Sequence, residues 1–330
     1  MVKIMKSNTK SKIIILITLV SLFTLSPKIT KNLSSSGSIN NSPDHSDVIN
    51  LDKENLKISA LSGPIFIDNN WSAAKAAGIC TGEGTYSNPY VLEDLVIEGN
   101  HSGSGIQISH STVYFKIQNS TIYNFSNGIL LYYANNGTLN ENNFSNNTFG
   151  IHINHSDNNT VIGNIADGNS NSGIFLDNSS KHLISGNIAD GNSKRGIFLD
   201  NSSNHLISGN IISRNVEIGI HIQDSTNNSI YENFFIDNGL ENAWDDELSN
   251  HWDNGMIGNY WSDYSGIDAN DDGIGDTPYD IPGVEGVQDN FPIWDDGPDL
   301  QIPGYNLLFF LGILSVVVII LSKKLRKSKF

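Results

Sequence analysis

The chain has 330 residues, 19 basic against 35 acidic side chains, a formal charge of −16 and one cysteine. Such an acidic balance excludes a nucleic-acid-binding surface and favours cations. The lone Cys80 excludes an internal disulfide and reads as a small core residue.

The charge is unevenly placed: six basic residues lie in 1–31, five in 323–330, and every acidic residue lies in between. Residues 1–30 read as an export signal. Lys3, Lys6, Lys10 and Lys12 precede an apolar run from Ile13 to Leu25, too short to span a membrane comfortably. No small-x-small cleavage site follows, so a cleaved signal peptide and an uncleaved signal anchor both stay open. Residues 31–58 are rich in Ser and Asn and form a flexible linker.

From residue 60 to 283 the sequence predicts one repeat domain, with a cap at 60–81, coils at 82–262 and a closing motif at 258–283. Trp71 to Gly78 suits a short capping helix with Gly78 as its stop. Tyr90 to Glu98 reads as a worn first coil. Then Gly105, Gly128, Gly150, Gly173, Gly196 and Gly219 recur every 23 residues, with one step of 22. Ile or Leu stands one and three positions after each. A small residue stands six after, as in Ser156, Ser179, Ser202 and Ser225. Asn119, Asn142, Asn164, Asn187, Asn210 and Asn233 form one unbroken row. Asn124, Asn147, Asn169, Asn192, Asn215 and Asn238 form a second.

A fixed period in this range marks a solenoid. Three short alternating segments per period, with no room for a helix, choose a right-handed parallel β-helix. We expect about eight coils, roughly 35–40 Å long at ~4.8 Å per coil. Asn tolerates the left-handed turn and can hydrogen-bond to its copy in the next coil, so both rows are read as structural.

Past the ladder, Trp244 continues the register in worn form, and Trp252, Tyr260, Trp261 and Tyr264 cluster, either as a plug for the coil end or as a sugar-stacking platform; Trp244, Trp252 and Trp261 are the binding candidates. Residues 268–276 place Asp268, Asn270, Asp272 and Asp276 at the spacing of the front of a calcium loop, with Gly273 for the sharp turn. Tyr279 replaces the final Glu, so this is no EF-hand; the alternative is an acidic surface turn. Residues 284–304 are an acidic spacer, 305–322 a transmembrane helix and 323–330 a basic cytoplasmic tail, which places the ectodomain outside the cell membrane.

Gly258-Asn-Tyr-Trp-Ser-Asp-Tyr264, Asp272-Gly-Ile-Gly-Asp-Thr-Pro-Tyr279 and Asp289-Asn-Phe-Pro-Ile293 resemble the closing motif of NosD-type right-handed β-helix proteins, within the pectin-lyase-like superfamily. The resemblance runs over about residues 82–293. It implies an all-β parallel helix and, from the family's naming, periplasmic copper binding in metal-centre maturation. Membrane-anchored surface proteins share the motif.

Copper wants convergent His, Met or Cys. His182 and His205 share one offset in consecutive coils and are the copper candidates, although both lie in a near-duplicated stretch. Asp177 and Asp200 also share an offset and could form a catalytic or binding pair or hold Ca²⁺; the alternative is copied surface residues. Asn-x-Ser/Thr sequons are dense, including Asn136, Asn146, Asn158, Asn178 and Asn201. The reading is a non-catalytic cell-surface module that binds glycans or surface proteins, with calcium as its cofactor. NosD-like copper handling is the first alternative and a polysaccharide lyase or hydrolase the second.

Overall fold

The computed structural model describes residues 61–294. The export signal, the linker, the end of the spacer, the transmembrane helix and the basic tail lie outside the described residues. Among the described residues, no helix is long and apolar enough to cross a membrane.

Alternating apolar residues make short strands, and each strand pairs in parallel with its own repeat one turn later. Ile151 lies opposite Ile174, Ile174 opposite Ile197 and Ile197 opposite Ile220. The result is three walls. Sheet 1 has eight strands, from Ile65–Asp68 through Ser172–Asp177 and Arg195–Asp200 to Glu241–Asp245. Sheet 2 has seven, from Tyr90–Glu93 to Ser229–Tyr231. Sheet 3 is broken into a three-stranded and a four-stranded piece, joined by single bridges through Asn143 and Ile165. This is an all-β parallel solenoid of the right-handed type, with about seven turns rather than the eight expected.

Each turn points its Ile and Leu side chains inward. Ile197, Leu199, Ile207 and Ile212 are all fully buried, and burying one such side chain contributes about 2 kcal/mol. The glycine row has a packing reason. A Cβ on Gly196 would lie 2.7 Å from the Gly219 carbonyl oxygen and 2.7 Å from Asn215 Nδ2. Only a hydrogen fits where successive coils approach that closely.

The corners differ from the sequence expectation. The left-handed residue is not the row Asn but the residue before it: Glu141 (φ 55°), Gly163 (65°), Gly186 (64°), Gly209 (66°) and Glu232 (58°). Asn142, Asn164, Asn187, Asn210 and Asn233 themselves turn inward and are buried. Asn119 and Asn124 fall out of the rows. Ser111 pairs with Ala134 but Phe115 pairs with Gly137, so this corner carries one extra residue. The slip moves Asn119 (φ 49°) and Asn124 (63°) onto left-handed corner positions. Ser120 and Phe125 take the row positions, and their backbone N–H groups donate to Asn142 and Asn147.

A six-residue helix, Trp71–Ala76, precedes the ladder. Buried Trp71 donates from Nε1 to Ser111 Oγ at 2.8 Å and stacks on Tyr90 at 4.9 Å. Cys80 is buried, which raises its thiol pKa.

Candidate functional site

Four side-chain ladders run inside the corners: a serine one through Ser156, Ser179, Ser202 and Ser225, and three that carry Asn. In the first of these three, each backbone N–H donates to the Oδ1 of the Asn one turn on: Asn164 to Asn187 at 2.9 Å, Asn187 to Asn210 at 2.9 Å, Asn210 to Asn233 at 3.1 Å. Each Nδ2 also reaches a carbonyl, as Asn187 Nδ2 reaches Val161 O at 2.9 Å. The second ladder repeats this through Asn147, Asn169, Asn192, Asn215 and Asn238. From Asn142 and Asn147 onward, both rows are therefore engaged in cross-turn hydrogen bonds.

The third ladder was hidden by its mixed residues. It runs Asn159, His182, His205, Asn228, Asn250. Asn159 N–H donates to His182 Nδ1 at 3.0 Å, His182 N–H to His205 Nδ1 at 3.0 Å, and His205 N–H to Asn228 Oδ1 at 2.9 Å. The imidazoles replace Asn: Nδ1 stands for Oδ1, and Nε2 is left to carry the proton. The two rings stack at 4.9 Å. Burial pushes His182 down to about 4 and His205 well below its ordinary value, so both stay neutral. Their recurrence every 23 residues together with Asn159 and Asn228 was the available signal.

The outer face of sheet 1 carries the chemistry the interior lacks. Two positions after Gly150, Gly173, Gly196 and Gly219 stand His152, Phe175, Phe198 and His221, and with Trp244 they lie in register as one outward column. Phe175 stacks on Phe198 at 4.9 Å and 7°, with His152 at 4.8 Å below and His221 at 5.2 Å above. Of this column, the sequence made only Trp244 a binding candidate and noted His152 as flanking a strand. The glycine offset would have exposed the others. Arg195 lies 4.3 Å over the Phe198 ring and donates to His221 Nδ1 at 2.9 Å. Burial, then the nearby Arg195 charge, holds His221 at about 4.

Beside this column runs an acidic one. Asp177 and Asp200 are register partners, as the sequence predicted, and Gln223 follows. Asn154 Nδ2 donates to Asp177 at 2.5 Å. Burial, then the charges of Asp177, Asp224 and Asp246, raise the Asp200 pKa, and Arg195 opposes them.

The closing segment settles the tryptophans. Trp252 and Trp261 are buried, so neither can stack on a sugar; they are core. Trp261 lies flat between Phe235 at 4.4 Å and Tyr279 at 4.2 Å. Trp244 alone of the three is exposed, at 38 %. In the 268–276 loop the carboxylates face their own backbone. Asp268 Oδ2 accepts from Gly273 N–H at 2.8 Å, Asp272 Oδ1 from Ile274 N–H at 2.9 Å and Asp276 Oδ2 from Ala269 N–H at 2.8 Å. Asn270 Nδ2 donates to Asp272 at 2.9 Å.

The sequence model of the family described as periplasmic copper-binding protein (NosD) matches residues 26–165 and again 85–266. The chain belongs to the NosD family. No curated protein matches it. Among solved structures, a point mutant of the periplasmic alginate epimerase AlgG is similar at 26 % identity and a TM-score of 0.44, over 47 % of this chain and 37 % of that one. Unmutated AlgG is similar at 23 % identity and a TM-score of 0.43, over 55 % of this chain and 40 % of that one. The A-module of the Azotobacter vinelandii mannuronan C-5 epimerase AlgE4 is similar at 14 % identity and a TM-score of 0.38, over 52 % of this chain and 57 % of that one.

Copper, which the NosD description names, does not fit the His182 and His205 pair. Each Nδ1 lone pair of His182 and His205 is occupied by a backbone N–H, and each Nε2 is buried without a partner. Among the described residues, no three His, Cys, Asp or Glu side chains come together as a metal-holding group.

Proposed function

We propose that this NosD-family chain binds an extended, non-anionic polysaccharide along the outer face of sheet 1, at a cell surface. The observation that carries the reading is the ring column of His152, Phe175, Phe198 and His221 in register with Asp177 and Asp200. Each turn offers one ring and one hydrogen-bonding group, so a polymer lying along the solenoid axis meets the same set at every step. The rings spend their faces on one another and present their edges outward. The ligand therefore lies against ring edges, with its hydroxyls on the acidic column. That column repels a polyuronate. The surface location rests on residues 1–30 and 305–330, which lie outside the described residues.

The test is affinity electrophoresis of the purified chain through neutral, cationic and polyuronate gels. A neutral or cationic polymer should retard the protein, and Phe198→Ala with Asp177→Asn should abolish the retardation at unchanged fold. Free migration in every gel would sink the reading.

A second reading is favoured by the raised pKa of Asp200 beside Asp177, the pairing a general acid and a carboxylate partner require. Release of new reducing ends by the chain, lost in Asp200→Asn, would make it a glycan-cleaving enzyme.

A further inference from the structure

The corners follow one local rule. A left-handed residue comes first, a ladder residue second, and the residue entering the next wall third. Asn146-Asn147-Thr148, Asn158-Asn159-Thr160 and Asn227-Asn228-Ser229 all obey it. The first place suits Asn, because few side chains tolerate positive φ. The second needs an acceptor pointing inward. The third takes a Ser or Thr at a half-exposed strand entry. Written as sequence, the rule reads Asn-x-Ser/Thr. Sequon density is thus a by-product of corner geometry, and the structure decides which sequons are usable.

Most are tied down. Asn119 Nδ2 donates to Asp94 at 2.7 Å and Asn136 Nδ2 to the Thr112 carbonyl at 2.9 Å. Asn154 and Asn178 donate to Asp177, each at 2.5 Å, and Asn201 donates to Asn178 at 2.5 Å. Asn146, Asn158 and Asn227 differ. Each is exposed, stands at φ 59°, 56° and 56° respectively, and has no side-chain hydrogen bond within 61–294. Their amides project from corners on either side of sheet 1, so a bulky group there flanks the outer face without covering its ring column.

We propose that Asn146, Asn158 and Asn227 are N-glycosylation acceptors, with a lipid-linked oligosaccharide as donor. The side-chain amide nitrogen attacks the anomeric carbon of the donor sugar, and a nitrogen–carbon bond forms. The bond from that carbon to the lipid phosphate oxygen breaks, and the phosphate leaves with the electron pair. The amide proton passes to a base of the transferase. The assignment presupposes export, which rests on the signal read in residues 1–30.

The experiment is glycopeptide mass spectrometry on the full chain purified from its own cells, with fractionation to locate it. Peptides bearing Asn146, Asn158 and Asn227 should carry sugar, and those bearing Asn119, Asn136 and Asn178 should not. Thr160→Ala keeps Asn158 and its corner but should remove one glycan, read as a loss of mass from that peptide alone. An exported chain whose three peptides are all unmodified overturns the assignment. So does a Thr160→Ala chain of unchanged glycan mass. A chain recovered only from the cytoplasm overturns the export premise, and the assignment with it.

Discussion

The middle turns and the closing segment solve opposite problems. In the middle, a ladder residue works in both directions. Asn187 accepts from Asn164 N–H at 2.9 Å, and its own N–H donates to Asn210 at 2.9 Å. No charged group is needed, because the next turn always supplies an acceptor. At the C-terminal end the next turn is missing and donors are left over. Each of the three Asn-bearing ladders there ends on an aspartate. Asn259 N–H and Trp261 Nε1 donate to Asp289 at 2.7 and 2.9 Å. Asn250 Nδ2 and Trp252 Nε1 donate to Asp245, both at 2.9 Å. Asn242 Nδ2 donates to Asp263 at 2.7 Å. A directional stack of N–H donors therefore closes on groups that only accept. Burial still raises Asp289 to about 6, and its donors pull the other way.

The largest effect should come from breaking that asymmetry. Asp289→Asn points an NH₂ at either the Asn259 and Trp261 donors on Oδ2 or the Phe291 N–H on Oδ1. It should cost about 3 kcal/mol, as an unsatisfied buried donor pair does. An unchanged urea midpoint would show that the end and the middle do not differ after all.

Next comes His182, the middle-turn member that looked like a metal ligand. His182→Ala removes the acceptor for Asn159 N–H and leaves a cavity, for about 2 kcal/mol. His182→Asn restores the ladder chemistry and should be within about 0.5 kcal/mol of the parent or more stable. Equal losses in both variants would argue for a role beyond the ladder.

Acid sharpens the same contrast. His182 and His221 sit at about 4, below their ordinary 6.5, so the folded state refuses protons that the unfolded chain accepts. Their stability contribution is complete above pH 6.5 and is lost as pH falls toward 4. Asp289 runs the other way. At about 6 against an ordinary 3.8, it contributes most below 3.8 and loses that contribution as pH rises through 6. Melting curves between pH 7 and 4 should fall less steeply for His182→Asn and more steeply for Asp289→Asn. Parallel curves for all three proteins would contradict both assignments.

The smallest stability effect belongs to the outer face. Phe198→Ala removes stacking on Phe175 and His221, worth about 1 kcal/mol. Retention in a neutral polysaccharide gel, not melting, is where its loss should show.

From sequence alone, the glycine and isoleucine rows at a 23-residue period dictated a parallel solenoid. The reason is that strands repeat by translation, and a period records translation directly. The pairing of Asp177 with Asp200 was legible for the same reason. What the period does not record is the side of the wall on which a residue stands, or what faces it a turn away. One extra residue in the corner after Ser111 moved Asn119 and Asn124 from ladder to corner. His182 and His205 proved to be inward substitutes for Asn. Trp252 and Trp261 were drawn into the core, with each indole N–H held by an aspartate, Asp245 for the first and Asp289 for the second. Those outcomes depend on cross-turn hydrogen bonds and on which donors the last turn leaves unmatched. Only the assembled coils decide them.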